Sequence, residues 1–134
     1  MEAGLVALFT SEATITNVVG SSIYVSNIPQ KATYPLLLIT QMGSEEYNAL
    51  DGTGALRRVT FDIDCKADTS LGASALADIV REFIKDYSGV AGTQTIDAVH
   101  LNSETASVEA MTDGSDVHRY VKTLDVDIHY TPAS

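Results

Sequence analysis

From Arg58 onward, residues 55–67 (ALRRVTFDIDCKA) alternate without a break. Val59, Phe61, Ile63, Cys65 and Ala67 fall on one side of an extended chain, and Arg58, Thr60, Asp62, Asp64 and Lys66 on the other. A period of two over this length predicts a half-buried β-strand. The same pattern returns in the closing stretch DVHRYVKTLDVDIHY. There Tyr120, Leu124, Val126, Ile128 and Tyr130 oppose Arg119, Thr123, Asp125, Asp127 and His129. LLLITQMG (Leu36–Gly43) is a continuous apolar run, which predicts a strand covered on both faces or lying at a subunit contact. A polar, glycine-containing loop, Ser44–Gly54, joins it to the alternating strand as a long β-hairpin. TQTIDAVHLN (93–102) predicts a shorter strand, and SETASVEAMTDGSD (103–116) reads as a polar connection to the closing strand.

Helical periodicity marks two segments. Leu5, Leu8 and Phe9 predict a short N-terminal helix, followed by about one further turn that buries Ile15, Val18 and Val19 and ends at Gly20. In TSLGASALADIVREFIKDYSG, Leu76, Ile79, Val80, Phe83, Ile84 and Tyr87 form one apolar stripe. Thr69 or Ser70 is the expected N-cap and Gly89 the expected stop. Gly72 weakens the first turn by up to ~1 kcal/mol relative to alanine. Between the helices, SSIYVSNIPQKATYP is an ordered connector with a short strand around Ile23–Val25, and Tyr34 before Pro35 is held extended.

This order predicts an α+β fold in one domain, residues 1–134: an antiparallel sheet of about four strands, with two helices packed on its apolar face. The opposite face is then left bare, and it carries Asp62, Asp64, Asp125 and Asp127. No repeat, low-complexity tract or composition break divides the chain.

Charge sharpens this picture. Eight Lys and Arg against eighteen Asp and Glu give a net charge of −10. Gripping nucleic acid by phosphate neutralisation needs basic clusters, so that function class is disfavoured. A protein that nucleic acid passes without sticking remains compatible with an acidic wall. No apolar run reaches membrane-span length, and the acidic N-terminus is not that of a signal peptide. A single cysteine, Cys65, excludes an internal disulfide or a thiolate cage and reads as a small buried hydrophobe.

The paired aspartates, with His129 beside them, offer donors for Mg²⁺ or Ca²⁺ or an acid/base pair for hydrolysis. Both chemistries need a concave, partly dry site, which an open sheet face does not give. A solvated face, its acids interleaved with Arg58, Lys66, Arg119 and Lys122, explains the pattern more simply, and no metal, cofactor or catalytic residue is assigned. His100 shares a face with Ile96 and Ala98, and His118 and His129 stand too far apart along one strand to chelate one ion. No serine has a nucleophile-elbow context. The glycines of DGTG and VAGTQ do not link a strand to a helix as a phosphate loop does. On its motifs the chain is not an enzyme.

The order of segments does resemble a known family. The N-terminal helix leading into VVGSSIYVSNIPQKATYPLLLITQ comes first. EEYNALDGTGALRRVTFDIDCKAD and SLGASALADIVREFI follow, and HRYVKTLDVDIHYT closes the chain. Together these resemble the tail-completion proteins of long-tailed bacteriophages (tail terminators, or head–tail joining proteins) and their relatives in gene transfer agents. The Lys-Ala-Asp after Cys65 departs from the aromatic residue more usual there.

The resemblance implies a structural virion protein made in the bacterial host cytoplasm. Its subunits form a ring, typically a hexamer, at the head-proximal end of the tail tube. The ring ends tube polymerisation and joins tail to head, and DNA passes through it without specific binding. The implied partners are further copies of the chain, the tail tube protein and a head–tail connector or head completion protein. Six copies at −10 each would carry −60, which suits a channel that must not hold DNA. On this reading Asp62, Asp64, Asp125 and Asp127 are candidates for an acidic lumen face. Glu45, Glu46, Tyr47, Leu50 and Asp51 in the hairpin loop, with Arg57 and Arg58, are candidates for the subunit or tube interface. The alternatives are another connector or tail-tube component, a small α+β ligand-binding or hydrolytic domain, or an acidic mimic of nucleic acid.

Overall fold

The computed structural model describes residues 2–29, 32–48, 55–85, 87–92, 94–110 and 118–131. In chain order the elements are α1 (Glu2–Thr10), α2 (Ala13–Val19), β1 (Ile23–Val25), β2 (Leu36–Asn48), β3 (Ala55–Ala67), α3 (Ser70–Ile84), β4 (Gly89–Ala91), β5 (Gln94–Ala110) and β6 (His118–Thr131). The α+β class holds, but among the described residues the sheet has six strands, in the order β1-β2-β3-β6-β5-β4, and there are three helices. β1 runs parallel to β2, so the sheet is mixed rather than wholly antiparallel. β1 is the short strand expected around Ile23–Val25, whereas β4, three residues long, is too short to show a period of two.

The N-terminal segment breaks into two helices at Glu12. This residue is extended, and its carboxylate accepts the Thr14 N–H at 3.3 Å, an N-cap that restarts the chain as α2. Ile15 and Val19 are buried as the spacing predicts, whereas Val18 lies on the exposed side of α2. Thr69 caps α3 by accepting the Gly72 N–H at 2.9 Å, a contact worth about 1 kcal/mol. A Cβ on Gly72 would lie 2.9 Å from that hydroxyl oxygen, so the residue that weakens the turn also makes room for its cap. The helix stops at Ile84, short of Gly89, because Lys85 turns extended at ψ 137°. Gly89, at φ +139°, instead opens β4. Tyr87 keeps its place beside the stripe from outside the helix. Its ring centre lies 5.6 Å from that of Phe83, and its hydroxyl donates to the Val90 carbonyl.

Two strands are longer than their sequence suggests. β2 continues to Asn48, pairing Glu45 with Arg58, Glu46 with Arg57 and Tyr47 with Leu56. Much of the expected hairpin loop is therefore ladder. β5 runs on to Ala110, with register shifts at Ile96/Ala98 and Leu101/Ser103, so residues 103–110 are strand rather than connection.

The core lies between the sheet and the helices. Phe61, Ile63, Leu124, Val126 and Ile128 are buried beneath Leu76, Val80 and Ile84 of α3 and Leu5 and Phe9 of α1. Each large side chain so buried contributes roughly 1.5–3 kcal/mol. α1 touches both β1 and β4, which stand at opposite ends of the strand order. The sheet therefore curls round the helices. Its helix side is concave, and the aspartate side is the outer, convex one. Gly4 makes this closure possible, since a Cβ there would sit 2.6 Å from the Ala91 carbonyl oxygen.

Candidate functional site

Register brings the four aspartates onto the convex face, on the two central strands. Asp62 stands directly opposite Asp125, Thr60 opposite Asp127 and Asp64 opposite Thr123. Each threonine hydroxyl serves its acidic neighbour: Thr60 Oγ1 donates to Asp127 Oδ1 at 2.6 Å, and Thr123 Oγ1 to Asp64 Oδ1 at 2.7 Å. From β5, Asn102 Nδ2 donates to Asp125 Oδ1 at 3.2 Å. Two acids are thus tied to hydroxyls across the ladder, while the middle row sets carboxylate against carboxylate.

The electrostatics of the two ends differ accordingly. Partial burial, then the charges of Asp125 and Asp64, raise the Asp62 carboxyl above its ordinary pKa. For Asp127, partial burial acts in the same direction but is outweighed by the hydrogen bond from Thr60, the amide of Asn102 and the charges of Arg58 and His129. Its pKa is lowered. Arg58 approaches Asp127 to 4.0 Å.

The convex face is not bare along its whole length. At its foot Leu36 and Val121 are buried, and Lys66 is only 8% exposed. Lys66 Nζ donates to Glu109 Oε1 at 2.8 Å. Arg119 pairs with Asp68, and its guanidinium lies 4.2 Å from the centre of the Tyr34 ring. Of the cations expected among the acids, Lys122 belongs to the other side, because it pairs in register with Cys65 in the core-facing row. Glu109 could not be matched to Lys66 from sequence, since it lies in the stretch that reads as a connection. Only the extension of β5 aligns the two.

The candidate interface residues divide. Glu45, Glu46 and Tyr47 lie on β2, with Arg57 and Arg58 opposite them on β3. Leu50 and Asp51 lie outside the described residues. Register sends Arg58 to the convex face and Arg57 to the other, so the two arginines do not share one side of the sheet.

Among the described residues no group of three His, Cys, Asp or Glu side chains is placed to hold a metal ion. A convex face also cannot desolvate a reacting group. An open groove of about 500 Å³ lies elsewhere, between α2 and α3, lined by Ile79 and Phe83 together with Glu12, Thr14, Asp78 and Glu82. Its carboxylates stand around apolar side chains rather than converging on a point. Burial, followed by the charges of Asp64 and Glu104, pushes the Cys65 thiol far up, away from nucleophilic or metal-binding chemistry. No described helix is long and apolar enough to cross a membrane.

No curated protein matches the chain in sequence. Among solved structures, a chain from the virion of a native gene transfer agent (GTA) particle has a similar fold. Its TM-score is 0.62 at 16% identity, and the match covers 97% of this chain and 92% of that one. The family described as tail completion protein gp17 matches residues 3–126, from α1 into β6. The order of segments thus carries the signal that no single motif does: the chain belongs to the tail completion protein gp17 family and is a phage tail-completion protein, a component of the virion tail.

Proposed function

We propose that this protein is a non-enzymatic ring subunit, most simply of a hexamer, that caps the head-proximal end of the tail tube. In this role the ring ends tube polymerisation, presents the surface on which a head completion or connector protein docks, and leaves an opening through which DNA passes. The observation that carries the reading is the family match over residues 3–126. The convex face supports it through the four aspartates it carries, on a chain of net charge −10.

Asp62, Asp64, Asp125 and Asp127 are proposed to face or electrostatically colour the lumen, where negative charge keeps a polyanion from binding. Glu45, Glu46, Tyr47, Leu50 and Asp51, with Arg57 and Arg58, are proposed to contact a neighbouring subunit or the tube. Mutual repulsion between subunits this acidic predicts that salt strengthens self-association.

The test is imaging of tails together with native mass. A closed ring of fixed copy number at one end of each tube, and overlong tails that fail to join heads when the protein is absent, are the expected results. Polymerisation of the purified protein into long cylinders would assign it to the tube instead. A ring with these aspartates on its outer rim would remove the lumen assignment.

A further inference from the structure

The curled sheet leaves two stretches of strand edge open, on opposite sides and at opposite ends. On β2, β1 pairs only with Leu37–Ile39, and no described strand pairs with the outer edge of Thr40–Asn48. On β5, β4 pairs only with Gln94–Ile96, and no described strand pairs with the outer edge of Asp97–Ala110. The β5 stretch is unusual in a second way, because every residue from Asn102 to Glu109 is exposed, on both sheet faces. Val108 alone is 57% exposed.

Natural sheets blunt long edges with charged side chains, lysine above all, or with proline, bulges or brevity. The one register shift inside the open stretch falls between Leu101 and Ser103, and the ladder from Ser103 to Ala110 is regular. Asp97–Ala110 contains no lysine, proline or glycine, and fourteen residues is long for an edge. Such an edge leaves a row of amide donors and carbonyl acceptors ready for a further strand.

We propose that the open edge of β5 pairs with the open edge of β2 in the next copy of this chain, so that the sheets of neighbouring subunits join edge to edge. This inference rests on the ring reading above and specifies the contact that builds the ring. Two features favour a second copy as the occupant. The molecule carries both halves of the contact, on opposite margins of one sheet, which is the arrangement a head-to-tail ring requires. The strand directions suit it, since β2 and β6 run one way and β3 and β5 the other. A neighbour in the same orientation therefore presents β2 antiparallel to β5.

The blocked stretches then dictate the offset. The neighbour's β1 must clear the lower end of β5, and β4 must clear the top of the neighbour's β2. Both conditions are met when the neighbour is displaced by about six residues along the strands, roughly 20 Å. A closed ring accommodates such an offset by leaning its strands from the ring axis, as closed sheets do. In that position Thr40–Asn48 lies along roughly 102–109, so the residues left exposed on both faces are the ones that acquire a neighbour.

Disulfide trapping tests the contact on the assembled protein, with the buried Cys65 as an unreactive background. Single cysteines at Ser103, Thr105 or Ser107 on β5 are combined with single cysteines at Thr40, Gly43 or Glu45 on β2, which cover the registers near the inferred offset. The variants are oxidised as rings, in solution at high salt or on isolated tails. At least one combination is expected to give a covalent ladder ending at the ring's copy number, while each single variant stays monomeric under denaturing conditions. Rings that form but yield no ladder in any combination would overturn the edge contact and leave the ring reading intact. Failure to form any closed ring, in solution or on tails, would overturn both.

As a second measurement, proline is placed in turn at Thr105 and Ala106. Adjacent amides alternate between β6 and the open edge. The variant that loses the outward amide is expected to keep wild-type thermal stability and to lose assembly. If both prolines leave assembly unchanged, the proposal fails.

Discussion

Asp62→Asn is expected to stabilise this protein. The two carboxylates of the middle row stand on directly opposed residues of β3 and β6, whose Cβ atoms in such a pair are about 5 Å apart. At a carboxylate separation of about 6 Å, Coulomb repulsion is about 0.7 kcal/mol at the dielectric of water and about 3 kcal/mol at an effective value of 20. Asp62 is only partly buried and the face is wet, so the lower part of that range applies. We expect a gain of about 0.5–1 kcal/mol at pH 7 and low salt, or about 2–4 °C in Tm for a chain of this length.

The pH dependence has a defined sign. Burial and its acidic neighbours raise the Asp62 pKa in the folded state above its unfolded value of 3.8. Folding therefore favours the protonated form. Going down from neutral pH, this group's contribution to stability rises through the raised pKa and levels off below 3.8. The wild type should show that rise and Asp62→Asn should lack it, so their unfolding free energies converge in acid. Urea denaturation at several pH values, in low salt and in about 1 M salt, reads all of this, and the gain should shrink as salt screens the pair. A variant less stable than wild type at pH 7, or a gain that salt does not touch, would refute the repulsion argument. Confirmation would mean that the face is held at some cost to the fold, as a surface selected for an assembly would be.

Three further outcomes follow from the packing. Gly4→Ala should lose about 1–3 kcal/mol in chemical denaturation, because the clash of its Cβ with the Ala91 backbone outweighs the ~1 kcal/mol gained in helix propensity. Glu109→Gln should cost about 1–2 kcal/mol by weakening the charged partner of the nearly buried Lys66, whereas Glu109→Gln in a Lys66→Met background should cost much less. Thiol-reactive dye should leave Cys65 unlabelled in the native protein and modify it fully in denaturant, since the side chain is buried and its thiol pKa is pushed up.

Local pattern determined a good part of this molecule. Alternation from Arg58 to Ala67 and from Thr123 to Tyr130 specified both central strands and the face each aspartate occupies, because side chains on a strand alternate whatever surrounds it. The stripe from Leu76 to Ile84 specified α3, and Thr69 its cap. The order of these segments carried the family. What sequence alone left open was decided by pairing between distant residues. β4 is a strand only because β5 offers it a ladder, and the short strand legible at Ile23–Val25 takes its parallel place only because β2 is there to receive it. Residues 103–110, polar and without periodicity of their own, are held extended by β6. Which acid opposes which is also a matter of register: Asp62 meets Asp125, while Asp64 and Asp127 each meet a threonine. Curvature was the last tertiary decision. A nine-residue helix reaching both β1 and β4, admitted by the missing side chain at Gly4, bends the sheet so that its acids face outward on a convex surface. No local pattern encodes that bend, because it arises from where apolar surface can be buried once all the strands are present.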